Sequence, residues 1–283
     1  MPIYRTSFEM IRQQPSLQLL LEALERGFKR FAIDFYLVGA VSRDVWMNGI
    51  NNIAPLRATT DLDFAVYIND KGLYEQLKEY LVTAEGFTSR KQNSFVLIYT
   101  DGTEVDLMPF GAIEDENRKV TVEGFGFTSI HVDGLKEVFE QGLPEIALDG
   151  ARPFKFCTLP GIVLLKLIAW DDRPEDRRDD IIDISDVLSH FFEMCKELIY
   201  EEHNDLFENP AKDLLFIGAH VLGREIKKIT LRDEKLHARV QRILEQNTAD
   251  PLQSKMAFIM RAYFDNTVEE SILLINEIRQ GFE

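Results

Sequence analysis

The sequence predicts an α+β fold: a mixed sheet with flanking helices on one side, followed by a helical C-terminal domain. Three observations carry this reading. Short apolar, strand-like runs alternate with helix-period segments between residues 34 and 110. The last two of those runs are joined by an Asp101-Gly102 turn, the signature of a hairpin. From Leu159 onward strand signals disappear and only long periodic segments remain. Gly150-Ala151-Arg152-Pro153 interrupts the pattern, which places a domain boundary near residue 150.

Each element has a local reason. Leu17, Leu20, Leu21, Leu24 and Phe28 fall at helical spacing, so Ser16 to Arg30 reads as a helix with Ser16 as cap after Pro15. Asp34 to Gly39 reads as a buried strand, Ala40 to Met47 as a helix, and Asn48 to Ala58 as a polar loop. Strand Leu62 to Ile68, helix Lys71 to Ala84 ending before Gly86, strand Asn93 to Tyr99 and strand Thr103 to Phe110 follow. The stretch after Gly111 is loop-rich and acidic, with Val120 to Val132 forming a small β insertion. The helical segments are Leu159 to Trp170, Ile181 to Glu201, Pro210 to Ile229, Asp233 to Gln246, Leu252 to Phe264 and Thr267 to Arg279.

A length of 283 residues suits about two domains of roughly 150 residues each. A net charge of −16 argues against broad, non-specific nucleic-acid binding, which needs a basic field, though a local basic face could still hold a structured RNA. Two cysteines, Cys157 and Cys195, are too few for a disulfide framework or a zinc site and fit a reducing cytoplasm. Met1 to Pro15 contains no apolar core of a signal peptide, and the apolar run Leu159 to Trp170, broken by Lys166, is too short to span a bilayer. The expected location is therefore cytoplasmic, without a membrane partner.

Chemistry concentrates in Thr60-Asp61-Leu62-Asp63-Phe64, answered about forty residues later by Glu104-Val105-Asp106-Leu107. Alternation along a strand puts Asp61 and Asp63 on one face while Leu62 and Phe64 enter the core, and it gives Asp106 the same choice. Two carboxylates on a solvated strand face are common. Acidic residues intruding into two separate apolar strands are not, because burying them needs a cation or donors. Three such groups on rigid strands make a seat for Mg²⁺ or Mn²⁺. Upstream, Gly39 turns strand into helix, whose first N–H groups can hold phosphate; Ser42 and Arg43 could add a hydroxyl and a guanidinium. An ordinary strand-to-helix turn is the alternative. The five histidines (His131, His190, His203, His220, His237) lack metal-ligand spacing, and Arg224 to Arg232 with Arg173, Arg177 and Arg178 is either a patch for RNA or a solvated helix face.

Gly39-Ala40-x-x-Arg43-Asp44, Thr60-Asp61-Leu62-Asp63 and Glu104-Val105-Asp106-Leu107 together resemble the signature of the polymerase-beta-like nucleotidyltransferase superfamily. Within it the chain is similar to bacterial nucleotidyltransferases related to the abortive-infection toxins of type IV toxin–antitoxin systems, including Leu159-Pro160-Gly161, Lys166, Asp172-Arg173 and Asp180-Ile181-Ile182-Asp183 after the core. The resemblance spans roughly residues 35 to 190. It implies a nucleotidyltransferase-type catalytic domain over residues 1–150, a helical domain over 151–283, and transfer of a nucleoside monophosphate from an NTP to an acceptor hydroxyl.

On that resemblance Asp61 and Asp63 bind both metals, and Asp106 completes the second site and helps deprotonate the acceptor. Gly39, Ala40, Ser42, Arg43, Thr60 and Lys166 contact the nucleotide, Lys166 from the second domain unless it merely snorkels from a core helix. The acceptor is RNA such as a tRNA 3′ end, or a protein, in a toxin-like role with a possible antitoxin partner. Nucleotidylation of a small, antibiotic-type molecule and a silent nucleotide-binding module are the alternatives. Departures from the family pattern are Ala40 in place of a glycine or serine, a long Asn48 to Ala58 loop, and Asp179 where relatives commonly carry Lys, which leaves Asp180 and Asp183 free to pair with Arg177 and Arg178.

Overall fold

The computed structural model describes residues 3–6, 17–54, 56, 59, 61–148, 152–208 and 212–283. Ser16, expected to cap the first helix, and Thr60 lie outside the described residues. The chain divides into two compact units, Met1–Thr158 and Leu159–Glu283.

The first unit is built on an eight-stranded mixed sheet. Its strands are β1 (Ile3–Thr6), β2 (Phe35–Val38), β3 (Leu62–Tyr67), β4 (Thr88–Ser89), β5 (Val96–Ile98), β6 (Glu104–Phe110), β9 (Glu145–Leu148) and β10 (Phe154–Phe156), in the order β1-β9-β10-β2-β3-β6-β5-β4. β7 (Lys119–Thr121) and β8 (Ser129–His131) form a separate hairpin where the sequence predicts a β insertion. At the centre, β3 runs antiparallel to β2 and parallel to β6, and β5 returns antiparallel on β6. β10 lies past the Gly150–Pro153 interruption yet pairs with β2, so the first unit continues to Thr158.

Alternation on the central strands sorts side chains to two faces. Phe35, Leu37 and Phe64 face α1 (Leu17–Arg30), where Phe28 lies 4.2 Å from Phe35 and 6.2 Å from Phe64 by ring centroid. α3 (Lys71–Ala84) packs beside α1, with Gly27 letting Leu81 close up and the Tyr74 hydroxyl donating to the Leu107 carbonyl at 2.8 Å. Burying each such side chain contributes about 1.5–3 kcal/mol, which is what holds the register. The opposite face carries Tyr36, Tyr67 and Phe110, each 5.5–6.0 Å from its ring neighbours, and these enclose Phe139 of α4 (Leu135–Gln141). Helices therefore cover both faces, not one. α4 is only 7 residues long and has no repeat to betray it.

The second unit is helical: α5 (Leu159–Asp172), α6 (Arg178–Met194), α7 (Lys196–Glu202), α8 (Leu214–Thr230), α9 (Glu234–Ala249), α10 (Lys255–Phe264) and α11 (Val268–Phe282). The segment read as one helix from Ile181 to Glu201 breaks at Cys195. Asp233, Ser254 and Thr267 cap their helices, Thr267 through a reciprocal box with Glu270. Among the described residues no helix is long and apolar enough to cross a membrane.

α8 and α11 touch backbone to backbone. A Cβ placed on Gly223 would sit 2.0 Å from the Ile278 carbonyl oxygen, and one on Gly281 would sit 1.9 Å from the His220 carbonyl oxygen. In an open helix Gly→Ala stabilises by roughly 1 kcal/mol. Here Gly223→Ala and Gly281→Ala are each expected to destabilise the second unit by about 1–3 kcal/mol, because the two backbones must part. Urea unfolding followed by far-ultraviolet circular dichroism checks this, and a rise in stability for either variant would show that the helices do not cross so closely.

Candidate active site

The register of the central strands builds one row of residues across the sheet. Val38 pairs with Asp63, Asp63 with Asp106, and Asp106 with Val96; the Arg90 backbone N–H, just past β4, donates to the Val96 carbonyl at 3.2 Å. Side chains at paired positions share a face. Asp63 and Asp106 are thus neighbours on adjacent parallel strands, both half-buried, with exposed Asp61 two residues before Asp63. Leu62, Phe64, Val105 and Leu107 alternate with them into the core, each no more than 1% exposed.

Electrostatics marks the same cluster. Burial pushes the Asp106 carboxyl up to about 7, and the negative charges of Asp63, Asp61 and Glu104 push it the same way, while Arg90 opposes them. Both other predicted carboxylates therefore act on Asp106. Oxygen-only donors on rigid strands, with Asp106 this reluctant to ionise beside its neighbours, fit a hard divalent cation such as Mg²⁺.

Gly39 brings the turn against this cluster. It has φ +68°, and a Cβ there would lie 2.0 Å from Asp63 Oδ2, so no side chain fits between the turn and the carboxylate. Gly39 and Ala40, half-buried, open α2 (Gly39–Asp44), which runs on into a π-helical turn, Val45–Ile50. Ser42 and Arg43 are placed differently from the sequence expectation. Both are 0% exposed: the Ser42 hydroxyl donates to the Cys157 carbonyl at 3.2 Å, and the Arg43 guanidinium donates to Asp44 Oδ1 at 3.0 and 2.7 Å. Trp46 Nε1 donates to the same Cys157 carbonyl at 2.8 Å. A helix anchored on that side turns its polar first-turn side chains inward, so they brace the turn from beneath.

Lys166 also departs from the expectation of a nucleotide contact. Its ammonium is buried within the second unit, 2.8 Å from Asp180 Oδ1 and 2.8 Å from Asp183 Oδ2. Asp180 and Asp183 accordingly pair with Lys166, and Arg177 stands 3.8 Å from Asp180. The basic Arg224 to Arg232 segment is largely matched by acids: Arg224 donates to both Asp205 oxygens at 2.8 and 2.6 Å, and Lys228 meets Glu202 and Glu225. His203, without metal-ligand spacing in the sequence, joins Glu202 and Glu225 in a group among the described residues whose ligand atoms all lie within 4.8 Å. Lys228 Nζ, 2.6 Å from Glu225, and Arg224 Nη1, 3.2 Å from His203 Nδ1, already neutralise that set. Arg90 escaped the sequence reading, because two-residue β4 carries no pattern of its own.

The model of the nucleotidyl transferase AbiEii toxin family, of type IV toxin–antitoxin systems, matches residues 20–270. No curated protein matches the chain. Among solved structures the chain is similar to ANT(2″)-Ia in complex with adenylyl-2″-tobramycin, at 13% identity over 79% of this chain and 99% of that one, TM-score 0.36. It is similar also to the Thermotoga maritima CCA-adding enzyme complexed with tRNA, at 15% identity over 100% of this chain and 85% of that one, TM-score 0.28. These likenesses are too loose to carry residue roles.

Repulsion within the cluster has a consequence for stability. Unfolded Asp106 loses its proton near 3.8 and folded Asp106 near 7, so between those values the folded state holds the extra proton. The contribution is complete below about pH 4 and is lost as pH rises to about 7. In chelator-treated protein, Asp106→Asn is expected to flatten that slope and to raise the melting temperature of the first unit at about pH 8. A variant less stable than wild type at that pH would contradict a repelling cluster.

Proposed function

The chain belongs to the nucleotidyl transferase AbiEii toxin family of type IV toxin–antitoxin systems, and from that premise we propose that it transfers a nucleoside monophosphate from an NTP to an acceptor hydroxyl, with pyrophosphate leaving, at Asp61, Asp63 and Asp106. The observation that carries the site assignment is the Asp63–Asp106 pairing on adjacent parallel strands, with Asp61 close enough to raise the Asp106 carboxyl further.

Asp61 and Asp63 would hold Mg²⁺ or Mn²⁺, with Asp106 completing the ligand set. When bound, such ions would stabilise the attacking and leaving oxygens of an in-line displacement. Asp106, beside Asp63 on the adjacent strand, would also accept the proton of the acceptor hydroxyl. Gly39 and Ala40 present the N–H groups of the first α2 turn beside Asp63 for the triphosphate tail, and Thr60 adjoins Asp61 in sequence. Ser42 and Arg43 hold that turn in place through Cys157 and Asp44. Lys166 acts on Asp180 and Asp183 instead of the nucleotide.

The acceptor in this reading is RNA, such as a tRNA 3′ end, in a toxin-like role countered by an antitoxin. The net charge of −16 supports a second reading, a small aminated acceptor that needs no basic platform.

Incubation with each α-labelled NTP, Mg²⁺ and total tRNA or cell extract separates these acceptors, with label expected in RNA. Asp61→Ala/Asp63→Ala should lower transfer by at least about 100-fold, since even outer-shell partners of a metal cost 10–100-fold. Equal labelling by that variant would sink the site assignment. Gly39→Ala, which drives a methyl into Asp63, should lower transfer by about tenfold or more while the fold survives. Wild-type transfer by Gly39→Ala would show that the turn and the carboxylate are not so tightly coupled.

A further inference from the structure

One edge of the carboxylate row carries groups that the proposed chemistry does not use. Arg90 sits opposite Val96, the residue paired with Asp106, and its positive charge acts on Asp106. It forms an ion pair with Glu104, but both side chains are open to solvent, 40% and 32% exposed, so the pair is easily exchanged for another anion. Lys91 follows it, exposed. In a chain of net charge −16, these are two consecutive exposed cations on the strand edge that borders the acidic site.

The β7–β8 hairpin closes onto the same edge. The Ser94 N–H donates to the Phe127 carbonyl at 2.9 Å, and the Phe127 N–H donates to the Gln92 carbonyl at 2.9 Å. Ser94 is two residues from Val96, so the hairpin stands within about 7 Å, along the chain, of the residue facing Asp106. Phe127 is anchored there, its ring 5.9 Å from that of the buried Phe95. Arg118 at the hairpin base donates to Glu114 Oε2 at 2.9 Å and to Glu137 of α4, which ties the hairpin to the turn after β6 and to α4. Phe125 at the tip is instead 84% exposed. Its ring face is therefore open on an anchored hairpin and free to stack on a planar partner.

We propose that Phe125, with Arg90 and Lys91, forms the platform that holds the single-stranded 3′ end of an RNA acceptor beside the carboxylates. The ring stacks on a base, and the two cations meet the backbone phosphates that lead the terminal hydroxyl toward Asp106. Stacking on an exposed ring beside cations is how single-stranded nucleic acid is held without a broad basic surface. This inference rests on the transferase site above and specifies its acceptor. A protein or small-molecule acceptor would make no use of a stacking ring and paired cations at that edge.

The test uses the full chain and a fluorescein-labelled RNA hairpin with a short unpaired 3′ end, its affinity read by anisotropy, with transfer kinetics alongside. Phe125→Ala should weaken binding by about tenfold, or about 1.4 kcal/mol, with the same rise in KM for the RNA and little change in kcat. Phe125→Trp should restore affinity, and its fluorescence should be quenched when the RNA binds. Arg90→Ala should weaken binding and lessen its salt dependence. Phe125 is too exposed for its loss to unfold the protein. Unchanged affinity in Phe125→Ala, while Asp106→Asn abolishes transfer, would overturn the platform and leave the transferase site standing. Full transfer by Asp106→Asn would remove both.

Discussion

Two carboxylates held side by side by strand register are the constraint on which the first unit turns. Asp63 and Asp106 are paired positions on β3 and β6, and Asp61 adds a third negative charge near them. Nothing about that cluster stabilises the chain on its own. Burial and mutual repulsion push Asp106 up to about 7, so the cluster is a local cost tolerated because the hydrophobic layers on both faces of the sheet set the register independently. A slip of one residue would send the carboxylates into the Phe28, Phe35 and Phe64 layer and turn the leucines to the surface.

The supporting structure follows from that demand. Gly39 exists where a side chain would collide with Asp63, and the helix it opens is pinned by two donors to one carbonyl, from Ser42 and Trp46 to Cys157. The fully buried Arg43 completes the brace with Asp44, a buried ion pair that would be costly to break from either side. What faces outward from the turn is therefore backbone rather than side chain, which suits the proposed seat for a triphosphate tail.

The second unit satisfies its buried charge by a different route. Lys166 lies on a helix that is apolar around most of its circumference, and two aspartates one turn apart on α6 converge on its ammonium. Arg239 and Arg242 likewise meet Asp171 and Asp172 at the end of α5, at 2.6–2.9 Å. Charge in this unit is mostly spent on helix-to-helix fastening, so its basic segment is a poor counterpart for phosphate. The exposed cations near the carboxylates belong instead to the first unit.

Much of the fold was legible in the residues because the information is local. The period-two alternation of β3 and β6 and the helical spacing of α1, α3 and the C-terminal helices declare themselves over a few residues. The acidic residues of the site stood out because they interrupt apolar strands. The tertiary structure alone decided which strands pair, and so whether Asp106 meets Asp63; it added β1, β9 and β10 and the helix covering the second face, whose partners are remote in sequence. It also decided that Ser42, Arg43 and Lys166 point inward. A side chain's type announces what it can bind, but its direction depends on the element packed against it, and that element is written elsewhere in the chain.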